Sequence, residues 1–514
     1  MKAENKIRVL TMMLLALAAP WAGWTQGSIP PGPTLQAGSG EARTADQMIA
    51  AETSGRMAVA AQGAAIPFRP TIPEASYTAA KAASAAAARI SRTGSTSAAA
   101  STPPALVLDG EGVNQITAQG WFPPDTEGAV GLSQFVEVVN DHIDVYEKSD
   151  LAPLDLSVSL NSFFGYSVTA LFDPRVIYDG TWNRWIITAD SFPDSQTPPV
   201  QLYFFAISVG PNAAGPYYIY AVKVNFADDD FWDYPQLGMD QNSILFTANV
   251  FGPTTFRGAR AFAIAKSRLY NGLGFSVPVF VNLCGTLAPP IVLDQNASTY
   301  LVCAPPAGNA VTKYTMQHSS EPNATTLNAS AITVSSYTLP RSADQPGTDA
   351  KLDSLDARFV NTSAQVGNSL WQVHTVAFPA SGAPTPRFYE FDTTANTIKQ
   401  TGYFFADNFS DDFNASIAAD PSNTRVYVTW SSTNALKGTN AQVRFSGCKP
   451  AAGCVLDTTV PDEITSKTFS RLGRWGDYSA VTVDPQDPDA AFLVNEYIID
   501  NTTWGSRIAQ IHFP

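Results

Sequence analysis

The residues of this chain best placed to do chemistry are acids that recur at the head of one short segment. Asp125-Thr-Glu-Gly-Ala-Val-Gly, Asp173-Pro-Arg-Val-Ile-Tyr-Asp, Asp233-Tyr-Pro-Gln-Leu-Gly-Met-Asp, Asp356-Ala-Arg-Phe-Val-Asn, Asn414-Ala-Ser-Ile-Ala-Ala-Asp and Asp477-Tyr-Ser-Ala-Val-Thr-Val-Asp share one pattern. A weaker copy is Pro290-Ile-Val-Leu-Asp294. The segments recur about every 60 residues, a period that signals one supersecondary unit reused around an axis or along a line. If the units surround an axis, Asp125, Asp173, Asp233, Asp356, Asn414 and Asp477 form a ring, with Glu127, Arg175, Arg358, Ser416 and Ser479 two residues further on. Carboxylates crowded about one axis repel. Arg175 and Arg358 offer part of the neutralisation, and Ca²⁺, a hard cation that takes oxygen ligands, is the candidate cofactor. In the alternative reading each Asp caps its own unit by accepting from backbone amides. Aromatic rings stand beside the acids: Trp121, Phe172, Trp232, Phe413 and Trp475. A ring face beside a carboxylate is what a sugar site offers; the same rings also suit gaps between units. The candidate ligand-binding set is Asp125, Asp173, Arg175, Asp233, Asp356, Arg358, Asp477, Trp232 and Trp475, with no catalytic residue or metal ligand assigned.

Signatures of other chemistries are missing from the sequence. It has no GxSxG elbow, no HExxH pair and no CxxC zinc pair. The clusters Asp228-Asp229-Asp230, Asp407 with Asp411-Asp412, and Asp484 with Asp487 and Asp489 lack the EF-hand spacing and read as solvated loops. His142 reads as a packed strand residue. A glycosidase needs two spaced carboxylates, which a ring of acids supplies without specifying which two.

The elements that would position these residues are short strands. From about Ala105 onward, runs rich in Val, Ile, Phe, Tyr and Thr alternate with Gly, Pro, Asn and Asp, predicting an all-β domain. Each unit has an apolar first strand, then a turn acid or amide (Asp179, Asp240, Asp294, Asn361, Asp420, Asp484), then a second strand. Units long enough for four strands stack radially as propeller blades. The expected architecture is a seven-bladed β-propeller, with six or eight blades as alternatives. Leu106-Val-Leu108 is expected to complete the last blade as an N-terminal strand.

The organisation follows. Residues 1–25 read as a signal peptide, with a basic start and an apolar stretch too short to span a membrane. Residues 26–104, rich in Ala, Ser and Pro, read as a disordered spacer or pro-region, with a transient helix near Ala79 to Ala100. Residues 105–514 form the β domain. The net charge of −14 argues against nucleic acid and fits solubility outside the cell. Cys284, Cys303, Cys448 and Cys454 suggest two disulfides, Cys284–Cys303 and Cys448–Cys454.

Three motifs add a resemblance. Trp121-Phe-Pro-Pro-Asp-Thr-Glu-Gly-Ala-Val-Gly131, Asp233-Tyr-Pro-Gln-Leu-Gly238 and Arg474-Trp-Gly-Asp-Tyr-Ser479 followed by Asp484-Pro485 resemble a family of exported bacterial proteins with a propeller-like domain. The resemblance covers about residues 115–510 and implies fold and export. A looser likeness is to sialidase-type propellers, which need an arginine cluster, a tyrosine and an acid. Arg175, Arg358 and Arg474, Tyr478 or Tyr497, and Glu496 are available. The N-terminal arginine motif of that group has its nearest match, Phe68-Arg69-Pro70, in the spacer. The expected function is a secreted, monomeric binding module for an extracellular carbohydrate or a cell-surface partner, with no nucleic acid and no membrane insertion after signal cleavage. The alternatives are a carbohydrate-active hydrolase or lyase with its site at the channel mouth, and a structural surface protein.

Overall fold

The computed structural model describes residues 27–57, 66, 68–87, 91–92, 103–454 and 464–514. The signal-like stretch 1–25 lies outside the described residues. Nearly all of the described secondary structure is strand.

The strands run as successive antiparallel meanders. The first is Glu127–Val130, Gln134–Val139, His142–Glu147 and Pro153–Ser159; the second is Leu171–Asp179, Arg184–Ser191, Leu202–Ser208 and Tyr217–Lys223. The third is Phe231–Met239, Ser243–Phe251, Phe256–Ala265 and Phe280–Leu283. The fourth is Ser298–Cys303, Gly308–Gln317 and Thr326–Tyr337. The fifth is Ser363–Val366, Ser369–Ala377, Pro384–Asp392 and Thr397–Tyr403; the sixth is Asp411–Ala419, Val426–Asn434, Thr439–Cys448 and Ile464–Thr465. The seventh is Ala480–Asp484, Asp487–Asp500 and Thr503–His512, and Ala105–Asn114 pairs antiparallel with its last strand. The N-terminal strand therefore sits where the sequence reading puts it.

The weak repeat at Pro290 is a short strand, Pro290–Val292, which pairs in parallel with its neighbours on both sides, Met239 facing Ile291 and Ile291 facing Ala364. First strands touch in order around the molecule, and Ala480–Asp484 returns to meet Glu127–Val130. The apolar clusters follow the same order. Each lies between two adjacent meanders: Phe204 with Val136, Phe246 with Phe205, Leu245 with Leu301, Val302 with Leu370, Trp371 with Trp430, Tyr427 with Leu493, and Phe492 with Phe135. Sheets covered on both faces explain strands such as Leu171–Asp179, buried throughout.

The repeated acids have a backbone reason. Asp125, Asp173 and Asn414 adopt left-handed φ values of 51°, 48° and 50°. The pairing slips beside Asp173 and Asn414, as expected of a β-bulge that re-aims a side chain. Asp and Asn tolerate this conformation better than other non-glycine residues. The turn acids also behave as expected: Asp179 Oδ1 accepts from the Thr181 and Trp182 amides, and Asp240 Oδ1 from Asn242 and Ser243. Asn361 differs. It closes no turn but lies against Arg175, its Oδ1 accepting from Nη1 at 3.2 Å. The fifth unit explains this, because its strand begins only at Ser363 and leaves Asp356 to Asn361 as irregular, bent chain.

The stretch expected to be a disordered spacer, 26–104, carries structure wherever it is described. Gly27–Ile29 pairs with Thr326–Tyr337, Thr34–Ala37 with Phe275–Pro278, and Glu41–Arg43 with Tyr217–Lys223. A capped helix, Ala45–Thr53, and a second helix, Glu74–Ala85, follow. The physical reason is borrowing: a segment too poor in apolar residues to build a core adds strands to edges that other residues have built. Both disulfides form as expected, with Cα–Cα distances of 6.2 Å for Cys284–Cys303 and 5.2 Å for Cys448–Cys454.

Glu137 marks the seam where Ala105–Asn114 joins the first meander. Its carboxylate accepts from the Val113 amide at 3.0 Å, from Tyr146 OH at 3.0 Å and from Ser506 Oγ. Burial pushes its pKa up to about 7. A raised folded-state value stabilises the fold fully below the ordinary glutamate range, and that contribution is lost as pH rises through about 7. The expected outcome is that Glu137→Gln removes part of the pH dependence. The stability difference between wild type and variant should change by on the order of 3 kcal/mol between acidic and mildly alkaline pH. Urea unfolding at several pH values measures it, and a constant difference would refute the assignment.

Candidate functional site

The ring acids converge, but behind cover. Asp125, Asp173, Asp233, Asp356 and Asp477 are all buried, as are Arg175 and Arg358. Four of the acids approach one another. The Asp477 amide donates to Asp125 Oδ1 at 2.6 Å. Asn140 bridges the next pair, its Nδ2 donating to Asp125 Oδ2 at 2.7 Å and its Oδ1 accepting from the Asp173 amide at 2.7 Å. Burial, and then the nearby Asp125, Asp233 and Asp477, hold Asp173 well above the usual carboxylate range. Asp477 is also held well above it by burial, which outweighs Arg474. Tyr478 OH donates to Asp173 Oδ2 at 2.8 Å. These acids are poised to stay protonated where ordinary carboxylates ionise.

The other ring acids are neutralised by guanidinium groups. Arg358 grips Asp356 in a two-pronged pair, Nε–Oδ1 and Nη2–Oδ2 both 2.7 Å. Arg175 crosses the centre, donating to Glu127 at 2.7 Å and to the Pro235 and Val360 carbonyls. Its guanidinium also lies 3.4 Å above the Tyr478 ring. Arg474 joins Asp353 at 2.8 Å and Asp477 at 3.0 Å. Arg69, from the presumed spacer, reaches Asp233 at 3.0 Å. Four arginines thus stand among these acids. Among the described residues no group of three or more Asp, Glu, His or Cys is arranged to hold a metal ion.

The aromatic candidates lie in packing, not in an open cleft. Trp232 is buried against Tyr203 and Phe262, with ring centroids 5.7 and 6.2 Å away. Trp475 is buried edge-on to Phe413, its Nε1 donating to Ser431 Oγ at 3.0 Å. The gap-filling reading of these rings therefore describes their placement. One acid cluster also departs from the solvated-loop expectation: Asp411 and Asp412 are buried and paired with Arg341 and Arg92. His142 is a packed strand residue, its Nε2 within 3.0 Å of Asp144 and Ser157.

Residues that the repeat did not reveal complete the site. Asn140 sits in a strand-to-strand turn, Asp353 lies outside the repeated segment, and Glu496 Oε2 accepts from the Gly476 amide at 2.5 Å. The Asn140-Asp141 pair has turn chemistry and was legible as such; Asp353 carries no local signal. Over the ring lies chain from the N-terminal stretch. Ile66 donates its amide to the Phe122 carbonyl at 3.1 Å. Phe68 lies 4.9 Å from the Arg358 guanidinium, and the Tyr77 ring packs tilted against Phe68 with centroids 5.2 Å apart. Lys81 Nζ donates to Ser354 Oγ at 3.2 Å. The Phe68-Arg69-Pro70 motif thus belongs to the ring face.

No family model matches the chain, and no curated protein matches it. Among solved structures it is similar to a subtype N10 neuraminidase-like protein of A/little yellow-shouldered bat/Guatemala, at 9% identity and a TM-score of 0.34, covering 63% of this chain and 92% of that one. It is similar to the WD40 domain of SCAP from fission yeast at 10% identity and a TM-score of 0.33, covering 76% and 95%. It is also similar to an exo-beta-1,3-galactanase from Phanerochaete chrysosporium at 11% identity and a TM-score of 0.30, covering 76% and 94%. No residue role carries over at these scores.

Removing one partner of a buried ion pair leaves a charge without compensation. Arg358→Ala is expected to cost about 3–5 kcal/mol, while Lys437→Ala, at an exposed pair with Asp407, costs under about 1 kcal/mol. Asp356→Leu combined with Arg358→Met should recover most of the loss. Urea midpoints of the variants check this. A cost for Arg358→Ala no larger than that of Lys437→Ala would mean the pair is not structural.

Proposed function

We propose that the meanders are the blades of a seven-bladed β-propeller, exported with the help of residues 1–25, and that the chain is an extracellular binding module for a cell-surface partner. The observation that carries this reading is the state of the ring. Asp356, Glu127 and Asp233 are each paired with an arginine of the same chain, Asp173 and Asp477 are held toward the protonated form, and chain from residues 66–87 lies over the ring. A hydrolase or lyase needs an acid and a base that face a shared open cleft. The described ring offers a rigid, charge-balanced plug instead.

Two further observations support binding to a surface partner over sugar stacking. The rings that would stack on a sugar are sealed between sheets. Large apolar side chains stand exposed on the side where the first strands begin: Ile116 at 82%, Leu436 at 62% and Phe409 at 40%. Leu436 and Phe409 line one depression, and clustered exposed apolar side chains favour a contact face. Export is supported by two disulfides, a bond type that persists in oxidising compartments. Among the described residues no helix is long and apolar enough to cross a membrane.

The test uses the full chain, labelled and applied to intact cells and to an array of polysaccharides. Binding to cells is expected, with no turnover of any polysaccharide. Ile116→Asp combined with Leu436→Asp should weaken binding at least about tenfold without moving the urea midpoint, as loss of central apolar contacts does. Turnover of a polysaccharide that Asp173→Asn abolishes would replace this reading with the enzymatic one.

A further inference from the structure

The ring face is acidic, and the stretch that crosses it is basic. Residues 66–92 contain Arg69, Lys81, Arg89 and Arg92 against a single acid, Glu74, in a chain whose net charge is −14. Three of these cations seat on described acids or their neighbours. Arg69 pairs with Asp233, Lys81 reaches Ser354 beside Asp353 and Asp356, and Arg92 pairs with Asp412 at 3.2 Å. Arg92 is buried, donates to Thr385 Oγ1 at 2.6 Å, and lies 4.5 Å above the Phe405 ring. Aromatic anchors alternate with the cations. Phe68 lies against the Arg358 guanidinium, and Tyr77 packs tilted against Phe68.

The mode of attachment matters as much as the charge. In the described part of the stretch, backbone hydrogen bonds to the ring occur at its two ends, Ile66 to Phe122 and Arg92 to Asn408. Between them side chains carry the contact together with the Arg69 carbonyl, which accepts from Arg358 Nη2 at 3.5 Å. The helix Glu74–Ala85 turns Tyr77, Ala80, Lys81 and Ser84 inward at one-turn spacing and leaves Ala75, Ala79, Ala82, Ala83 and Ala85 outward. It buries no large aliphatic side chain in the ring. Ser84 Oγ donates to the Leu339 carbonyl at 2.5 Å, and the helix end comes so close to Gly382 that a Cβ there would meet the Ser84 carbonyl at 2.0 Å. Gly382 also has φ +63°, so two constraints fix glycine at the seat. The stretch is thus held by charge and aromatic anchors, together with the buried Ile66 beside Trp121 and Phe172.

We propose that this face is a docking groove for a basic, aromatic-bearing peptide segment of a protein partner, and that residues 66–92 are its resident, displaceable occupant. The inference rests on the binding-module reading and names the chemistry of the partner. The resident segment is tethered, so its effective concentration at the groove is high, and a partner must either exceed it or meet a weakened tether. A partner segment would place a guanidinium on Asp233, an aromatic ring on Arg358, and a cation near Asp353 and Asp412.

The experiment titrates a fluorescent peptide of residues 66–92 into three full-length proteins: wild type, Arg69→Ala with Lys81→Ala, and Gly382→Ala. Hydrogen exchange of residues 68–87 reports whether the resident segment has left. The two variants should lose protection there and bind the peptide at least about tenfold more tightly than wild type, because the competing occupant is weakened. A peptide carrying Arg69→Ala and Lys81→Ala should lose that gain, and added salt should weaken binding of the native peptide. Four results would overturn the proposal: released variants that bind no peptide, equal binding of the neutralised peptide, unchanged protection in both variants, or global unfolding of both, which would make the segment a permanent wall of the fold. If the peptide fails while Ile116 and Leu436 still govern binding to cells, the binding-module reading stands and only the peptide chemistry falls.

Discussion

The structure turns on the cost of gathering carboxylates at one axis. Asp125, Asp173, Asp233, Asp356 and Asp477 are all withdrawn from water, and an isolated buried carboxylate is too expensive to keep ionised. The chain meets that cost in two ways. At Asp356, Glu127 and Asp233 it supplies a guanidinium within 3.0 Å. At Asp173 and Asp477 burial and neighbouring acids shift the balance toward the protonated form. The mixture lets many acids share one centre. Arginine suits the task because its planar fork grips a carboxylate through two bonds and stays charged when buried.

The second constraint is closure. Each meander buries one face against the previous sheet and the other against the next, so no sheet is stable apart from its neighbours. A ring of this kind must join its ends. The join is Ala105–Asn114 on Thr503–His512, and the buried Glu137 ties both strands to the first meander through Val113 and Ser506. The bulged starts at Asp173 and Asn414 serve the same end: a left-handed residue turns the chain sharply into each inner strand and directs a polar side chain to the axis.

Much of this was legible in the sequence because it is local. The repeat offset, the turn acids at Asp179 and Asp240, both disulfide pairs and the closing N-terminal strand all follow from residues near one another in the chain or from a fixed period. The burial of Trp232 and Trp475 was legible only as an alternative, since an aromatic beside an acid serves a sugar or a seam equally well in one dimension. Asn361 was misplaced because the fifth unit delays its strand to Ser363, and nothing local marks the delay.

The N-terminal stretch was misread for a deeper reason. Composition measures whether a segment can fold by itself, and residues 27–92 cannot: they hold too few large apolar side chains to offset the entropy of ordering. Where they are described, they rest on surfaces built by residues hundreds of positions away. Glu41–Arg43 needs only an open edge at Tyr217–Lys223, and Arg69 needs only a carboxylate at position 233. Such contacts leave no periodic trace, because each depends on one or two side chains at arbitrary spacing. A segment held in this manner is also the part of a fold whose attachment can be weak while the rest stays strong. The property that hid residues 66–92 from sequence reading, their reliance on a few charged and aromatic anchors, is therefore the property that suits them to leave the ring.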